Sequence, residues 1–189
     1  MNWPDRFPVL TTARLVLRET ADRDVDAVFA MQSDPVAMRY WSTLPMTDIA
    51  EARASVERAM GFFAARLALR WSVTRPADDR LIGHVSLFAF SEQSGRADIG
   101  YGLAREHWGR GYMNEALTAV VDHAFGPLGL RRLEADIDPR NAASLKALER
   151  LGFAREGLLH ERWQVGEEIS DSVFMGLLAR EWRSRRAPG

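Results

Sequence analysis

The chain has 189 residues, of which 47% are hydrophobic and 27% charged, with a formal net charge of −1. This length and composition fit one globular domain with a sizeable core, and the near-neutral charge gives no general attraction to nucleic acid or to anionic membranes. The absence of cysteine excludes disulfides, thiolate nucleophiles and cysteine metal sites.

The N-terminal segment and the apolar runs give no sign of export or membrane insertion. The N-terminus lacks the basic start and apolar run of a secretory signal. No apolar stretch approaches the roughly 20 residues that a membrane-spanning helix needs. We therefore expect a soluble, cytoplasmic protein without a membrane or nucleic acid partner.

The first half of the chain alternates strand and helix patterns. Residues 12–18 alternate in polarity, which predicts a strand, and Thr20 is placed to cap a helix that continues to Met31. A second helix is predicted to begin near Thr47 or Asp48, because apolar residues then recur at helical spacing. Further strands are predicted over residues 69–74, 81–90 and 98–103.

A short glycine loop separates the last of these strands from an amphipathic helix over residues 113–125. The loop reads Trp108-Gly109-Arg110-Gly111-Tyr112. Backbone N–H groups gather at the first turn of such a helix, the helix dipole adds partial positive charge, and glycines allow an anion to approach closely. This order of elements predicts a site for a phosphate or pyrophosphate, to which Arg110 adds a full charge.

The glycine loop also has a plainer interpretation, since Gly-x-Gly before a helix occurs as ordinary turn chemistry. Two familiar phosphate loops are excluded. The Gly-Lys-Ser/Thr ending of a nucleoside triphosphate loop is missing, and so is the third glycine of a dinucleotide fingerprint.

The last third of the chain continues the alternation. Strands are predicted over residues 132–138, 153–163 and 169–178. Residues 141–151 predict a short helix that ends at Gly152. The basic segment over residues 180–186 is interpreted as a solvated terminus, with contact to an acidic partner as the alternative. The whole pattern predicts an α+β fold in a single domain over residues 1–189, with a largely antiparallel sheet.

Four ordered segments carry a resemblance to a known family. They read TARLVLR, IGYGLAREHWGRGYMNEAL, DPRNAASLKALERLGFAREG and DSVFMGLLAREW, and they cover nearly the whole chain. The sequence resembles the GCN5-related N-acetyltransferases (the GNAT family), and within them the branch that contains the ribosomal-protein alanine N-acetyltransferases. The resemblance implies acetyl-coenzyme A as co-substrate and a mixed sheet of about seven strands flanked by about four helices.

The resemblance also assigns cofactor contacts to particular residues. The pyrophosphate is implied to lie on the backbone of Trp108, Gly109, Arg110, Gly111, Tyr112 and Met113. The backbone of Tyr101 and Leu103 is implied to pair with the pantetheine arm, and the Leu103 N–H to polarise the thioester carbonyl. Asn141 is implied to bind the pantetheine and Ser144 to lie near the sulfur, although Asn141 is equally well placed to act only as a helix cap.

The same resemblance implies direct attack of an amine on the thioester. The chain has neither a cysteine nor a Gly-x-Ser-x-Gly elbow, so no acyl-enzyme is expected. Many relatives carry a tyrosine that protonates the departing thiolate where this chain has Leu148. Ser144 is therefore the candidate acid, acting directly or through water.

Three residues are candidates for the base that deprotonates the amine. Glu134 lies on a predicted strand, and its alternative role is a surface carboxylate beside neighbouring arginines. His160 and Glu161 follow the Gly-Phe corner, where this branch often places an acidic residue near the substrate amine. The position that aligns with that residue holds Trp163 in this chain.

The acceptor is constrained by the protonation state of its amine. An α-amino group, with a pKa of about 8, is roughly one tenth neutral at pH 7, whereas lysine, at about 10.4, is neutral to less than about one part in a thousand. This gap corresponds to about 3 kcal/mol, so an α-amine needs only a weak base. A protein N-terminal α-amine is the leading acceptor. The alternatives are a small amine (a polyamine, amino acid or aminoglycoside) or a non-catalytic domain that binds coenzyme A.

Tyr40 and Trp41 lie in an irregular segment that borders the acceptor groove in the family, so they are candidates for substrate contacts as an alternative to core packing. We expect an open, shallow groove for a peptide acceptor and a closed, acidic one for a polyamine. The four histidines show no metal-ligand spacing, so no metal is expected. Relatives in this branch are often dimers, so a homodimer is a further expectation.

Overall fold

The computed structural model describes residues 1–186, and within them it contains one eight-stranded sheet and five α-helices. The strands are β1 (Leu10–Thr11), β2 (Val16–Glu19), β3 (Ala68–Thr74), β4 (Leu81–Ser91), β5 (Arg96–Leu103), β6 (Arg132–Ile137), β7 (Ala154–Val165) and β8 (Glu168–Leu178). The helices are α1 (Val25–Gln32), α2 (Ile49–Phe62), α3 (Tyr112–Phe125), α4 (Ala142–Leu151) and α5 (Ala179–Arg186). None of these helices is long and apolar enough to cross a membrane.

The sheet is antiparallel except at one pair of strands. Its order is β1-β2-β3-β4-β5-β6-β8-β7, and β5 runs parallel to β6. This parallel pairing covers three positions, of which Asp98 opposite Glu134 is the last. Beyond it, β5 continues beside β4 to Leu103, while β6 continues beside β8 to Ile137. The sheet therefore splits between β5 and β6, and no strand within residues 1–186 fills the gap.

Side-chain alternation gives the central strands one apolar face and one polar face, because successive side chains point to opposite sides of a sheet. Leu69 and Trp71 of β3 are fully buried in the core cluster that includes residues of α3, α4 and α5. A smaller apolar cluster joins α1 and α2 to Leu81 of β4. Arg70, between the two buried residues of β3, points to the other face and lies directly opposite Ser86.

The predicted α+β fold with its mostly antiparallel sheet is confirmed, with one strand and one helix more than expected within the described residues. The basic C-terminal segment, interpreted as a solvated terminus, has exposed arginines, but it forms α5 and is docked on the fold through Trp182. Trp182 is 6% exposed, and its indole Nε1 donates to Asp122 Oδ1 at 2.8 Å. Arg186 forms an ion pair with the same aspartate at 3.0 Å.

The predicted helix starts have mixed outcomes. Helix α2 begins where predicted, and the Asp48 side chain caps it. Thr20 does not cap α1, which begins later, at Val25. A single 3-10 turn precedes α1, and the buried Asp24 closes it by accepting a hydrogen bond from the Ala21 N–H at 3.0 Å.

Candidate active site

The glycine loop places a set of unpaired backbone donors at the start of α3. Gly109 and Gly111 have φ angles of +72° and +78°, a left-handed conformation that glycine adopts without the steric cost of a side chain. No acceptor among residues 1–186 receives a hydrogen bond from the amides of residues 109–114. These amides lie at the positive end of a 14-residue helix. The arrangement is suited to bind an anion.

Arg14 adds a positive charge beside this loop, and sequence reasoning missed it. Its Nη1 donates to the carbonyl of Arg110 at 2.9 Å, and its guanidinium lies 4.7 Å from the centre of the Tyr112 ring. An ion pair with Glu115 at 2.6 Å holds the side chain in place. Arg14 is 96 residues away from Arg110 in sequence, so only the tertiary structure brings the two together.

The split in the sheet exposes the backbone of β5. The Ala104 N–H donates to the carbonyl of Ile82 at 2.8 Å, and in an antiparallel pair the backbone groups of alternate residues point to the same side. The backbone groups of Tyr101 and Leu103 therefore point away from β4, into the split. The Leu103 carbonyl accepts a hydrogen bond from Trp108 Nε1 at 2.7 Å, which leaves its N–H as the group that faces the split.

Asn141, Ser144 and Tyr101 meet at the first turn of α4. The Asn141 side chain caps this helix by accepting from the Ser144 N–H at 3.1 Å. The Ser144 and Tyr101 hydroxyls share a hydrogen bond at 2.6 Å, and burial raises the pKa of Tyr101 to about 12. Leu148 is fully buried in the core, so it offers no polar atom here. Ser144 is thus coupled to a second hydroxyl, which the sequence did not indicate.

A cavity of about 790 Å³ lies over the polar face of the sheet. The segment before α2 covers it on one side, and the β7–β8 hairpin covers it on the other. Tyr40 and Trp41 line it, as does the Tyr101–Ser144 pair. The Trp41 indole packs against the backbone of Gly102 and lies edge-on to His84, with ring centres 5.2 Å apart.

The charges that line the cavity are mixed. Its carboxylates are Asp98, Asp136, Asp138 and Glu168, and its arginines are Arg39, Arg70, Arg140 and Arg162. Three of the four arginines are ion-paired with cavity carboxylates, at 2.9 Å for Arg39, 2.6 Å for Arg140 and 3.4 Å for Arg162. Because its carboxylates are balanced by arginines, the cavity lacks the acidic character expected for a polyamine acceptor.

The three residues nominated as base lie outside the cavity lining. Glu134 is 8% exposed and is held between Arg96 and Arg132, with an Arg132 Nε distance of 2.7 Å. His160 has a 76% exposed side chain that contacts Asp171. Glu161, which follows it, has a positive φ within an irregular part of β7. The structure does not bring these three side chains together.

Asp98 is a carboxylate that sequence reasoning missed, and it occupies the point where the sheet splits. It lines the cavity, and its Oδ1 is buried without a hydrogen-bond partner among residues 1–186. The nearest cation is Arg96, at 3.7 Å. Burial, followed by the charge of Glu134, raises the pKa of Asp98. A carboxylate in this state is a stronger base than an ordinary aspartate.

Asp136, one strand away, has a different environment. It accepts hydrogen bonds from Trp163 Nε1 at 2.9 Å and from the Ser172 hydroxyl. Trp163 stands where the resemblance places an acidic residue, and here it serves as a donor to a neighbouring carboxylate. Because Asp136 already has these donors, it is suited to hold the cavity wall rather than to accept a proton.

Comparisons with known proteins show the family. The family model described as "Acetyltransferase (GNAT) domain" matches residues 14–154. The chain belongs to the GNAT acetyltransferase family. It is therefore an acetyl-CoA-dependent acyltransferase by family. An uncharacterized N-acetyltransferase, p20, from Bacillus licheniformis is 35% identical over 92% of this chain and 97% of its own.

Two other relatives of this GNAT protein have named acceptors. An alanine N-acetyltransferase of ribosomal protein uS5 from Escherichia coli is 27% identical, over 94% of each chain. The structure of a spermidine N-acetyltransferase from Vibrio cholerae in complex with CoA and spermine aligns with a TM-score of 0.80 at 22% identity, over 91% of this chain and 99% of the other. At this identity, the structural match shows the fold.

Proposed function

We propose that this GNAT protein transfers an acetyl group from acetyl-CoA to an α-amino group held in the cavity beside Asp98. A protein N-terminus remains one acceptor class, as in the uS5 relative, and a small α-amine is the other. The observation that carries the proposal is the position of Asp98. It lies both where β5 and β6 separate and in the wall of the cavity. The cavity volume of about 790 Å³ falls in the range of small-molecule sites.

Acetyl-CoA fits the loop and the split. The free amides of residues 109–114, with Arg14 and Arg110 beside them, are suited to hold its diphosphate. The backbone of Tyr101 and Leu103 is suited to pair with the pantetheine arm, as an added strand would. When bound, acetyl-CoA supplies an acetyl thioester. The Leu103 N–H faces the split, where it can donate to a carbonyl oxygen.

The residues of the chain then supply two proton transfers. Asp98 accepts a proton from the bound ammonium, which leaves a neutral amine. The Ser144 hydroxyl, hydrogen-bonded to Tyr101, would donate a proton to the departing thiolate of CoA, and the proton released by the acetylated nitrogen would restore the hydroxyl. The buried Oδ1 of Asp98 has no hydrogen-bond donor among residues 1–186, which favours uptake of a proton by this carboxylate.

The proposal is tested by measuring CoA release and acetylated product for a panel of amines. The panel contains N-terminal peptides, free α-amino compounds, lysine side-chain analogues and spermidine. We expect α-amines to be acetylated with kcat/KM at least about 10-fold above amines of pKa near 10, because a larger fraction is neutral. CoA binding with no product from any amine in the panel would contradict the proposal and would favour a non-catalytic CoA-binding domain.

A further inference from the structure

One arginine of the cavity has no partner among residues 1–186. Arg70 lines the cavity from β3, and no hydrogen bond or ion pair to it exists among residues 1–186. The other three cavity arginines each have a carboxylate within 3.4 Å. A guanidinium carries five donors and is seldom left unpaired where water is partly excluded.

The surroundings of Arg70 are unfavourable to its charge. Burial, with a smaller contribution from the like charge of Arg58, lowers the pKa of Arg70 to about 10. It is still protonated at neutral pH, so the fold holds a partly buried cation without compensation. Such a group is stabilised when an anion enters its site.

The residues around Arg70 are suited to an anion. Ser86 lies directly opposite it on β4, and Gly100 lies opposite Ser86 on β5. His84 is on the same face, and its buried Nδ1 has no hydrogen-bond partner among the described residues. Burial, followed by the charge of Arg70, keeps the pKa of His84 well below its usual range, so the imidazole is neutral and can supply one N–H donor. Gly100 has no side chain, and the Phe88 ring packs over it, 3.2 Å from where a Cβ would lie, as an apolar part of the cavity wall.

The distance from Arg70 to Asp98 fits a small molecule. The two residues are two strands apart across the sheet and two residues apart along it. With strand spacings of about 4.8 Å and a rise of about 3.3 Å per residue, their Cα atoms are about 12 Å apart. Both residues line the same cavity, so a single small molecule placed between them can contact both.

We propose that the acceptor is a small amine that also carries a carboxylate or phosphate, with its amine at Asp98 and its anionic group on Arg70, Ser86 and His84. This inference rests on the proposed function, since it names the acceptor class of the same cavity. It separates this protein from polyamine acetyltransferases, because a polyamine has no anion for Arg70. Within the cavity, Asp98 and Arg70 would recognise opposite ends of a zwitterion.

The test compares acceptors with and without the anionic group, at a pH of about 9.5 where the amine is largely neutral in each. Phenylalanine against phenylalanine amide tests the carboxylate, and O-phosphoserine amide against serine amide tests the phosphate. With the wild-type protein, we expect the anionic member of at least one pair to have a KM about 10- to 100-fold below the KM of its neutral partner. In Arg70→Gln this difference should disappear, with Arg70→Lys intermediate and the KM for acetyl-CoA unchanged. Arg53→Gln, an exposed arginine on α2, is the matched control.

A second measurement separates ligand binding from a structural role. Because Arg70 is an uncompensated cation, Arg70→Gln should have a Tm equal to or above that of the wild type. With CoA present to occupy the loop amides, inorganic phosphate or acetate should raise the Tm of the wild type and not that of Arg70→Gln. Neutral and anionic amines acetylated equally well by both proteins would overturn the inference and leave the proposed function intact. No acetylation of any amine would contradict the proposed function itself.

Discussion

Replacing Asp98 by asparagine is expected to lower kcat/KM for acetyl transfer by about 100- to 1000-fold at neutral pH, since general bases contribute factors of this size. The asparagine keeps the shape of the side chain but cannot accept a proton from the ammonium. Acetyl-CoA affinity should be unchanged, because the loop amides and Arg14 do not contact Asp98. Steady-state kinetics and calorimetric titration with CoA measure the two effects separately.

The pH dependence of this variant identifies the role of Asp98. Wild-type activity should fall as the pH drops through the raised pKa of Asp98, because the protonated carboxyl cannot act as a base. At about pH 9 to 10 an α-amine is largely neutral without help, so the activity of the variant should approach that of the wild type. A loss that stays constant from pH 6 to 10 would contradict the assignment of Asp98 as the base.

We expect no loss of stability in Asp98→Asn, so lower activity of this variant cannot be attributed to unfolding. The pKa of Asp98 is raised in the fold by burial and by Glu134, so the folded chain binds its proton more tightly than the unfolded chain does. Its contribution to stability therefore decreases as pH rises from the unfolded pKa through the folded one. At neutral pH the neutral asparagine should be at least as stable. Asp26→Asn, an exposed carboxylate on α1, is the matched control.

The bases nominated from the sequence, His160 and Glu161, predict a different result in the same pH experiment. If His160→Gln or Glu161→Gln loses the low-pH limb of the activity profile while Asp98→Asn keeps it, the base lies on β7. Such a result would require the hairpin to move toward the cavity when the substrates bind, because neither residue lines the cavity in this structure.

Replacing Gly111 by valine is expected to weaken CoA binding by about 10- to 100-fold, since charge-assisted hydrogen bonds to several amides are lost. The residue has a φ of +78°, so a Cβ-branched side chain is strained there. Its Cβ would also lie 3.4 Å from Arg14 Nη2, at the mouth of the amide cluster. Calorimetric titration of the folded variant with CoA measures the loss.

Gly129→Val controls for the backbone strain in this test. Gly129 has a similar φ of +69°, but it lies after α3, where the nearest atom to a new Cβ is in Asn2 at 3.7 Å. Both variants should lose about 1 to 2 kcal/mol of stability, the usual cost of a left-handed non-glycine residue. Only the loop variant should lose CoA affinity. Equal CoA affinity of the two folded variants would mean that the loop does not hold the cofactor.

The parts of this protein that could be predicted from sequence are those encoded locally. The glycine loop, its flanking strand and the helix after it are contiguous, so their order alone indicates an anion site. The capping residue Asp48 indicates the start of helix α2. Gly152, which adopts a left-handed conformation, indicates the end of α4. In each case the physical cause lies within a few residues of the element it explains.

The parts that could not be predicted depend on which strands become neighbours. Alternation along β5 places Asp98 on the face opposite Ile99, which is visible in the sequence. Its role depends on the parallel pairing of β5 with β6 and on where that pairing stops. Arg70 presents the same problem, because the lack of a partner is a property of the whole cavity. In α5, five of the eight residues are charged, so little in the sequence indicated that its one tryptophan holds the helix to the core.

The most direct measurement is a crystal structure of the protein with CoA and an acetylated α-amino product. The central claim is that cofactor and acceptor meet at the split between β5 and β6. We expect the diphosphate on the amides of residues 109–114, the thiol between Leu103 and Ser144, and the product nitrogen within hydrogen-bond distance of Asp98. A diphosphate bound elsewhere, or a product nitrogen on the β7 side of the cavity away from Asp98, would contradict the claim.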